Sequence, residues 1–426
     1  MNVSKPKQSI LIIILLILSG EAIFVLPFVL ARIFRPTFLE AFDINNLELG
    51  TCFSIYGVVA LFSYFFGGAL ADKFVPRTLM SLSLILTACG GIYMSTFPSY
   101  LNLLILFGYY GFTTIFLFWA PMIKATRIWG GSNKQGLAFG FLDGGRGLVA
   151  ASFGSLGVLV FSYMMTDDLE VSSLTERQYA FRYTILVSSA IIAFIGFLVY
   201  FFLKPLEDTT AVSKMARGIY TASNFKKVMS YPSIWLMMII ILCAYVGYKI
   251  TDIFSLYAKD VLGYDDIESA KIGTYLLYIR PLTGIAIGLL ADKTKASLWI
   301  VIGFATMILS SIVFASGIIS QNTIFLFTTS IIFMAIGVYT TRVLYFAIME
   351  EAKLPLAITG TAIGFISVIG YTPDIFAGPV IGVLLDNSPG ELGHQYVFVM
   401  MLAFAVIGLI ASISFYKNNR TKKLRF

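Results

Sequence analysis

Ten charged residues stand in or near long stretches built mostly of apolar residues. Six are bases, Arg32, Arg35, Arg146, Lys249, Arg280 and Arg342, and four are acids, Glu21, Asp143, Asp252 and Asp374. A charged group at the centre of a bilayer costs about 2.5–3.5 kcal/mol on insertion scales, so such groups must face a protein interior or a watery cavity. The bases outnumber the acids by two, which suits a negatively charged guest better than a positive one. Spacing leaves several pairings open. Asp143 and Arg146, like Lys249 and Asp252, are three residues apart and could neutralise each other along one helix face. Glu21 and Arg32 are eleven residues apart, about 1100° of helical rotation, which puts them on one face of one helix. Arg280 and Arg342 have no acid within a turn, leaving a bridge across helices to Asp374 or Glu21 as the alternative to an unoccupied cation. Arg35, beside Pro36, reads as a side chain snorkelling outward to water.

Other chemistry is sparse. The single histidine, His394, falls in a polar stretch read as a loop, which argues against a histidine-based metal site or catalytic triad. Cys52, Cys89 and Cys243 lie in apolar runs without C-x-x-C spacing and read as buried thiols. The run Gly144-Gly145-Arg146-Gly147 lacks the Lys-Ser/Thr of a nucleotide-binding loop. No HExxH, Ser-Lys or paired-Asp motif is apparent, and no signalling domain. The expectation is therefore a protein that is not an enzyme, with no metal, no cofactor and no nucleic-acid partner. Of the many aromatic residues in the spans, most read as packing or interfacial anchors. Tyr56 and Tyr248 are the phenols singled out as donors to a solute.

The elements that position these residues follow from composition. Of 426 residues, 58% are hydrophobic and only 12% charged, about half the charged share of a soluble domain, roughly 25%. A soluble fold has too little interior to hide this much apolar surface. Twelve segments reach the roughly 20 apolar residues needed to cross a bilayer: 9–34, 48–71, 78–98, 100–123, 136–164, 183–203, 231–257, 269–291, 298–317, 322–348, 356–385 and 396–416. Their length makes them helices, since an open sheet edge cannot be satisfied in lipid. The first is read as a span rather than a cleaved leader, because it outruns an ordinary signal h-region and no A-x-A site follows. Twenty of the thirty Lys and Arg fall on the side that holds the N-terminus and four on the other. By the positive-inside rule both termini are cytoplasmic, and the net charge of +7 is a membrane signature.

The chain also repeats itself. GGALADK (67–73) ending span two matches IGLLADK (287–293) ending span eight. GFTTIFLFWAPM (111–122) matches VYTTRVLYFAIM (338–349), and GLAFGF (136–141) matches GTAIGF (360–365). The fold class expected is an all-α membrane protein, with twelve transmembrane helices in two pseudo-symmetric six-helix bundles. An N-terminal bundle covers 1–203, a polar cytoplasmic linker 204–230, and a C-terminal bundle with a basic tail 231–426. Duplication of this kind favours a central solute site and alternating access.

The loop Gly68-Ala-Leu-Ala-Asp72-Lys73-Phe-Val-Pro76-Arg77 resembles the signature loop of the major facilitator superfamily, with Gly four residues before Asp and basic residues after. Gly68 would allow close helix approach and Asp72 would accept from a helix N-terminus or pair with Arg77, a conformational latch whose second-half counterpart is Asp292. The D-K-x-x-P-R form looks most like the glycerol-3-phosphate and organic-anion branch. In the glycerol-3-phosphate transporters one arginine on each of spans one and seven grips the phosphate. Here Arg32 and Lys249 stand within about a turn of those places. The resemblance thus implies a secondary active transporter of a small organic anion, by proton symport or anion exchange. Arg32, Lys249, Arg342, Arg280, Arg146, Tyr56 and Tyr248 would bind the solute. Glu21, Asp143, Asp252 and Asp374 are the candidates for proton coupling. The expected partners are a small anionic solute and the lipid bilayer, with the protein working as a monomer in the cell inner (plasma) membrane. The rival reading is a proton-coupled exporter of drugs or other amphipathic solutes with the same fold.

Overall fold

The structure is a computed structural model that describes residues 10–130, 135–165, 173–203, 229–345, 347–352, 362, 366 and 368–421. The expected linker lies outside the described residues except for Met229 and Ser230, as do Gly360 and Gly364. Among the described residues eleven helices are long and apolar enough to cross a membrane, and a bent pair makes a twelfth. They are α1 (Ile10–Ala22 and Val25–Ile33), α2 (Asn46–Lys73), α3 (Pro76–Met94), α4 (Tyr100–Gly130), α5 (Gln135–Met164), α6 (Leu174–Phe202), α7 (Pro232–Leu262), α8 (Asp266–Lys293), α9 (Ala296–Ala315), α10 (Gln321–Leu344), α11 (Val368–Asn387) and α12 (Glu391–Thr421). The chain is an all-α, multi-pass membrane protein.

Local chemistry sets the ends and breaks. Ser173 caps α6, its hydroxyl accepting from the Glu176 amide while the Glu176 carboxylate accepts from the Ser173 amide. Asp265 caps α8 by accepting from the Glu268 amide. Within α1 the axis bends by 41° and Val25–Val29 forms a π-helical turn. Pro27 explains it: with no N–H, it cannot close the bond to residue 23, and its ring crowds that carbonyl. A second π segment, Phe112–Trp119 in α4, ends just before Pro121. Both wide turns interrupt the regular i→i−4 ladder, as π-bulges do at functional sites. The face shared by Glu21 and Arg32 on an ideal helix is therefore not preserved, because the bend and the wide turn lie between them.

Packing divides the molecule into two compact units. The first comprises the described residues of 1–33, 40–43 and 55–208; the second comprises those of 34–39, 44–54 and 209–426. In the first unit α3 lies along α6 and α4, and α1 along α5 and α6. The second repeats this plan: α9 lies along α12 and α10, and α7 along α11 and α12. Close backbone approach marks the α9–α10 crossing. A Cβ at Gly337 would stand 2.7 Å from the Gly303 carbonyl oxygen, so neither helix tolerates a side chain there.

The second unit buries an aromatic cluster of Phe254, Tyr257, Phe314, Phe327 and Phe398, with Phe314 and Phe398 stacked at 4.4 Å. His394 is part of it. The loop expected around His394 is the first turn of α12, and the imidazole is fully buried, edge-on to Tyr257 at 5.0 Å with its Nε2 3.0 Å from an Asp260 carboxylate oxygen. The helix starts five residues before the apolar run because Glu391 and His394 can sit in its first turn.

Candidate functional site

In the second unit, α7 carries Tyr245, Tyr248 and Lys249 on one side. The Lys249 ammonium stands 2.5 Å from Oδ1 of Asp374. The Tyr245 hydroxyl donates to both oxygens of the same carboxylate, at 3.0 and 3.1 Å. Asp374 follows Pro373 in the turn where α11 restarts as Pro373–Asn387, a placement favourable to a negative charge. Lys249 also lies over the rings of Tyr245 and Phe53, at 5.5 and 5.8 Å. Arg342 of α10 lies 3.5 Å from the centroid of Tyr248, so the flat face of its guanidinium is stacked. Tyr371 packs edge-on against Tyr245 at 5.0 Å and shares a hydroxyl contact of 3.0 Å with Tyr345.

A narrow cleft opens beside this cluster, lined by Arg35, Phe53, Lys249, Asp252, Ile253, Asp374, Gly378 and Ile381. At its core there is room for about one water molecule. Arg35 does not snorkel. It is 3% exposed because the chain turns into a new helix, Arg35–Phe42, instead of ending at Pro36. Its Nε donates to Asn46 Oδ1 at 3.0 Å. Asn46 in turn donates to Asp386 through its amide and its side chain, both at 3.1 Å, and the Leu47 amide donates at 2.6 Å. Asp386 thereby caps the N-terminus of α2.

The first unit holds a second centre. Arg146 of α5 donates from Nε to Glu21 of α1 at 2.9 Å, with both side chains buried. Its guanidinium lies 5.4 Å from the ring of Phe24 and 5.7 Å from that of Trp119. Phe24 precedes the π turn of α1 and Trp119 closes that of α4, so the two wide turns frame this cation. One turn further along α1, Phe28 meets Tyr56 edge-on at 4.6 Å, and the Tyr56 hydroxyl is 2.7 Å from Thr114 Oγ1.

Of the expected binding residues, the structure thus brings Lys249, Tyr248 and Arg342 together with Asp374. It pairs Arg146 with Glu21 and buries Arg32, Arg280 and Asp252. Asp143 is half-buried on α5. Of the expected latch, Arg77 lies half-buried with its guanidinium 5.8 Å from the ring centroid of Tyr200. Gly68, Asp72 and Asp292 have helical backbone, and their side-chain surroundings fall outside the described residues. Sequence reasoning missed Tyr245, Phe24, Phe53 and Asp386, which matter through partners on distant helices. One signal for the ion pairs was present. Glu21 and Lys249 are 228 positions apart, and so are Arg146 and Asp374. Each pair joins the first and fifth helix of its unit, with the signs exchanged.

Similarity to known proteins agrees with this architecture. Residues 10–378 match the profile of the Major Facilitator Superfamily. Inner membrane protein YihN of Escherichia coli K12 is 26% identical over 416 residues, 96% of each chain. Inner membrane protein YqcE of the same strain is 24% identical over 411 residues, covering 95% of this chain and 93% of that one. Among solved structures, a bacterial homolog of the human lysosomal transporter Spinster, inward-facing and unoccupied, superposes with a TM-score of 0.73 at 15% identity over 98% of each chain. The nucleoside transporter NupG does so with a TM-score of 0.68 at 14% identity over 96% of this chain and 100% of its own. These two likenesses speak to the fold alone. With the profile matched from α1 into α11 and two relatives running nearly end to end, the chain belongs to the Major Facilitator Superfamily, and it is a membrane transporter, not an enzyme.

Proposed function

We propose that this transporter moves a small organic anion by alternating access, as a monomer, in the inner membrane with both termini in the cytoplasm. The observation that carries the reading is the cluster on α7, α10 and α11. Two cations, Lys249 and Arg342, are held against a pair of tyrosines, Tyr245 and Tyr248, and the Asp374 carboxylate meets Lys249 and Tyr245. A charged group is retained in such surroundings for function, and stacked Arg with phenolic donors suits oxyanion recognition. In the first unit Arg146, caged by Phe24 and Trp119, and the buried Arg32 supply further positive charge. Glu21, Asp143, Asp252 and Asp374 are the acids available to carry a coupled proton; anion exchange would use none of them. The twenty-to-four distribution of Lys and Arg supports the orientation, and the names of the two Escherichia coli relatives support the membrane.

The test is thermal stabilisation of detergent-purified protein by a panel of phosphates, carboxylates, sulfonates and cationic drugs, followed by proteoliposome uptake of whichever compound stabilises most. An anion is expected to stabilise. Arg32→Ala and Lys249→Ala are each expected to abolish its uptake while eluting as folded protein. Stabilisation by cationic drugs alone would favour the drug exporter, and normal transport by both variants would dismiss the two bases as the grip.

A further inference from the structure

Resting on that reading, we infer that Asp374 is a built-in stand-in for the head group of the transported anion, and that this head group is a carboxylate which takes the place of Asp374 on Lys249 and Tyr245. The geometry is that of a carboxylate received by a prepared site. One oxygen meets the Lys249 ammonium at 2.5 Å, and both accept from the Tyr245 hydroxyl at 3.0 and 3.1 Å. The receiving groups are buried among aromatic rings. The Lys249 side chain is 7% exposed and lies against the rings of Phe53 and Tyr245. Tyr245 is braced by Tyr248 at 5.8 Å and by Tyr371 at 5.0 Å.

Asp374 is the open member of the pair. Its side chain is 18% exposed, and both partners line the narrow cleft. Of the two, the carboxylate is the more accessible from the cleft. The core of the cleft holds no more than about one water molecule. Lys249 and Tyr245 are set to receive the two oxygens of a planar carboxylate, whereas a tetrahedral phosphate would bring further oxygens that these two groups do not meet. Desolvating an unpaired ammonium is costly. The resident carboxylate keeps Lys249 neutralised between turnovers and sets the threshold an incoming anion must beat.

An internal competitor weakens binding of its rival, so removing its charge should tighten binding. Acetate and inorganic phosphate are the probes, titrated calorimetrically into wild type, Asp374→Asn and the double variant Lys249→Ala/Asp374→Asn at constant ionic strength. Asp374→Asn is expected to bind acetate at least tenfold more tightly than wild type, to gain less for phosphate, and to lose the gain when Lys249 is also removed. Acetate binding by Asp374→Asn no tighter than wild type, or a gain that survives loss of Lys249, overturns the inference. An equal gain for phosphate overturns the assignment to carboxylate. If Asp374→Asn unfolds on purification, recovery of monodisperse protein in acetate but not in phosphate supports the stand-in, and unfolding in both overturns it. This outcome is separable from the function itself: a wild type stabilised by larger anions, with an Asp374→Asn variant that gains nothing, removes the stand-in and leaves the anion transporter.

Discussion

Lys249 and Asp374 join α7 to α11, in the way that Glu21 and Arg146 join α1 to α5, with acid and base exchanged. Breaking a buried pair from one side costs about 3–5 kcal/mol, because the remaining charge is stranded. Lys249→Met should therefore lower the thermal midpoint by many degrees, and the exchanged variant Lys249→Asp/Asp374→Lys should recover most of the loss. Uptake of the stabilising anion should be absent in both. An exchanged protein that transports at the wild-type rate would show that only the bridge matters, not which helix carries the cation.

Arg146 tests the aromatic cage in the first unit. Arg146→Lys keeps the charge and can still reach Glu21, but a compact ammonium does not spread over the rings of Phe24 and Trp119 as a planar guanidinium does. The loss should be about 0.5–2 kcal/mol, visible as a thermal midpoint a few degrees lower and a shifted Trp119 emission. An unchanged spectrum and midpoint would mean that the rings contribute only bulk.

Asp386 is a cap supplied from a distant segment. Asp386→Ala removes the acceptor for the Asn46 and Leu47 amides, and should cost about 0.5–2 kcal/mol, the usual range for a lost N-cap. Asp386→Asn, which keeps an acceptor oxygen, should recover part of it. Differential scanning fluorimetry of the three proteins gives the ordering.

His394→Leu leaves Asp260 without its imidazole partner and should cost about 1–3 kcal/mol. His394→Gln, which can still donate, should cost less. Because the pair lies in the aromatic cluster of Tyr257, Phe314 and Phe398, uptake at saturating solute is expected to stay near wild type. A transport defect without a stability defect would move His394 from packing to mechanism.

The spans were legible because one physical quantity, apolar length, decides them: a bilayer accepts nothing shorter and leaves no other way to pair the backbone. The repeat was legible for a related reason, since GGALADK and IGLLADK mark the same helix ends. Pairing across helices was not. Spacing along one helix offers Arg146 only Asp143 and offers Lys249 only Asp252, whereas the bonds to Glu21 and Asp374 depend on how helices lie side by side. Arg35 was misread because a proline beside it suggests an end, and here it begins another helix. His394 was misread because polar residues in the first turn of a membrane helix look like loop.

The two wide turns carry a last consequence. A π turn is an α-helix with one residue too many, held in store. Pro27 holds the first of them open, because regular winding would need the N–H that it lacks and would drive its ring against the carbonyl of residue 23. The aim of Phe24 toward Arg146, and of Phe28 toward Tyr56, thus depends on one imino acid.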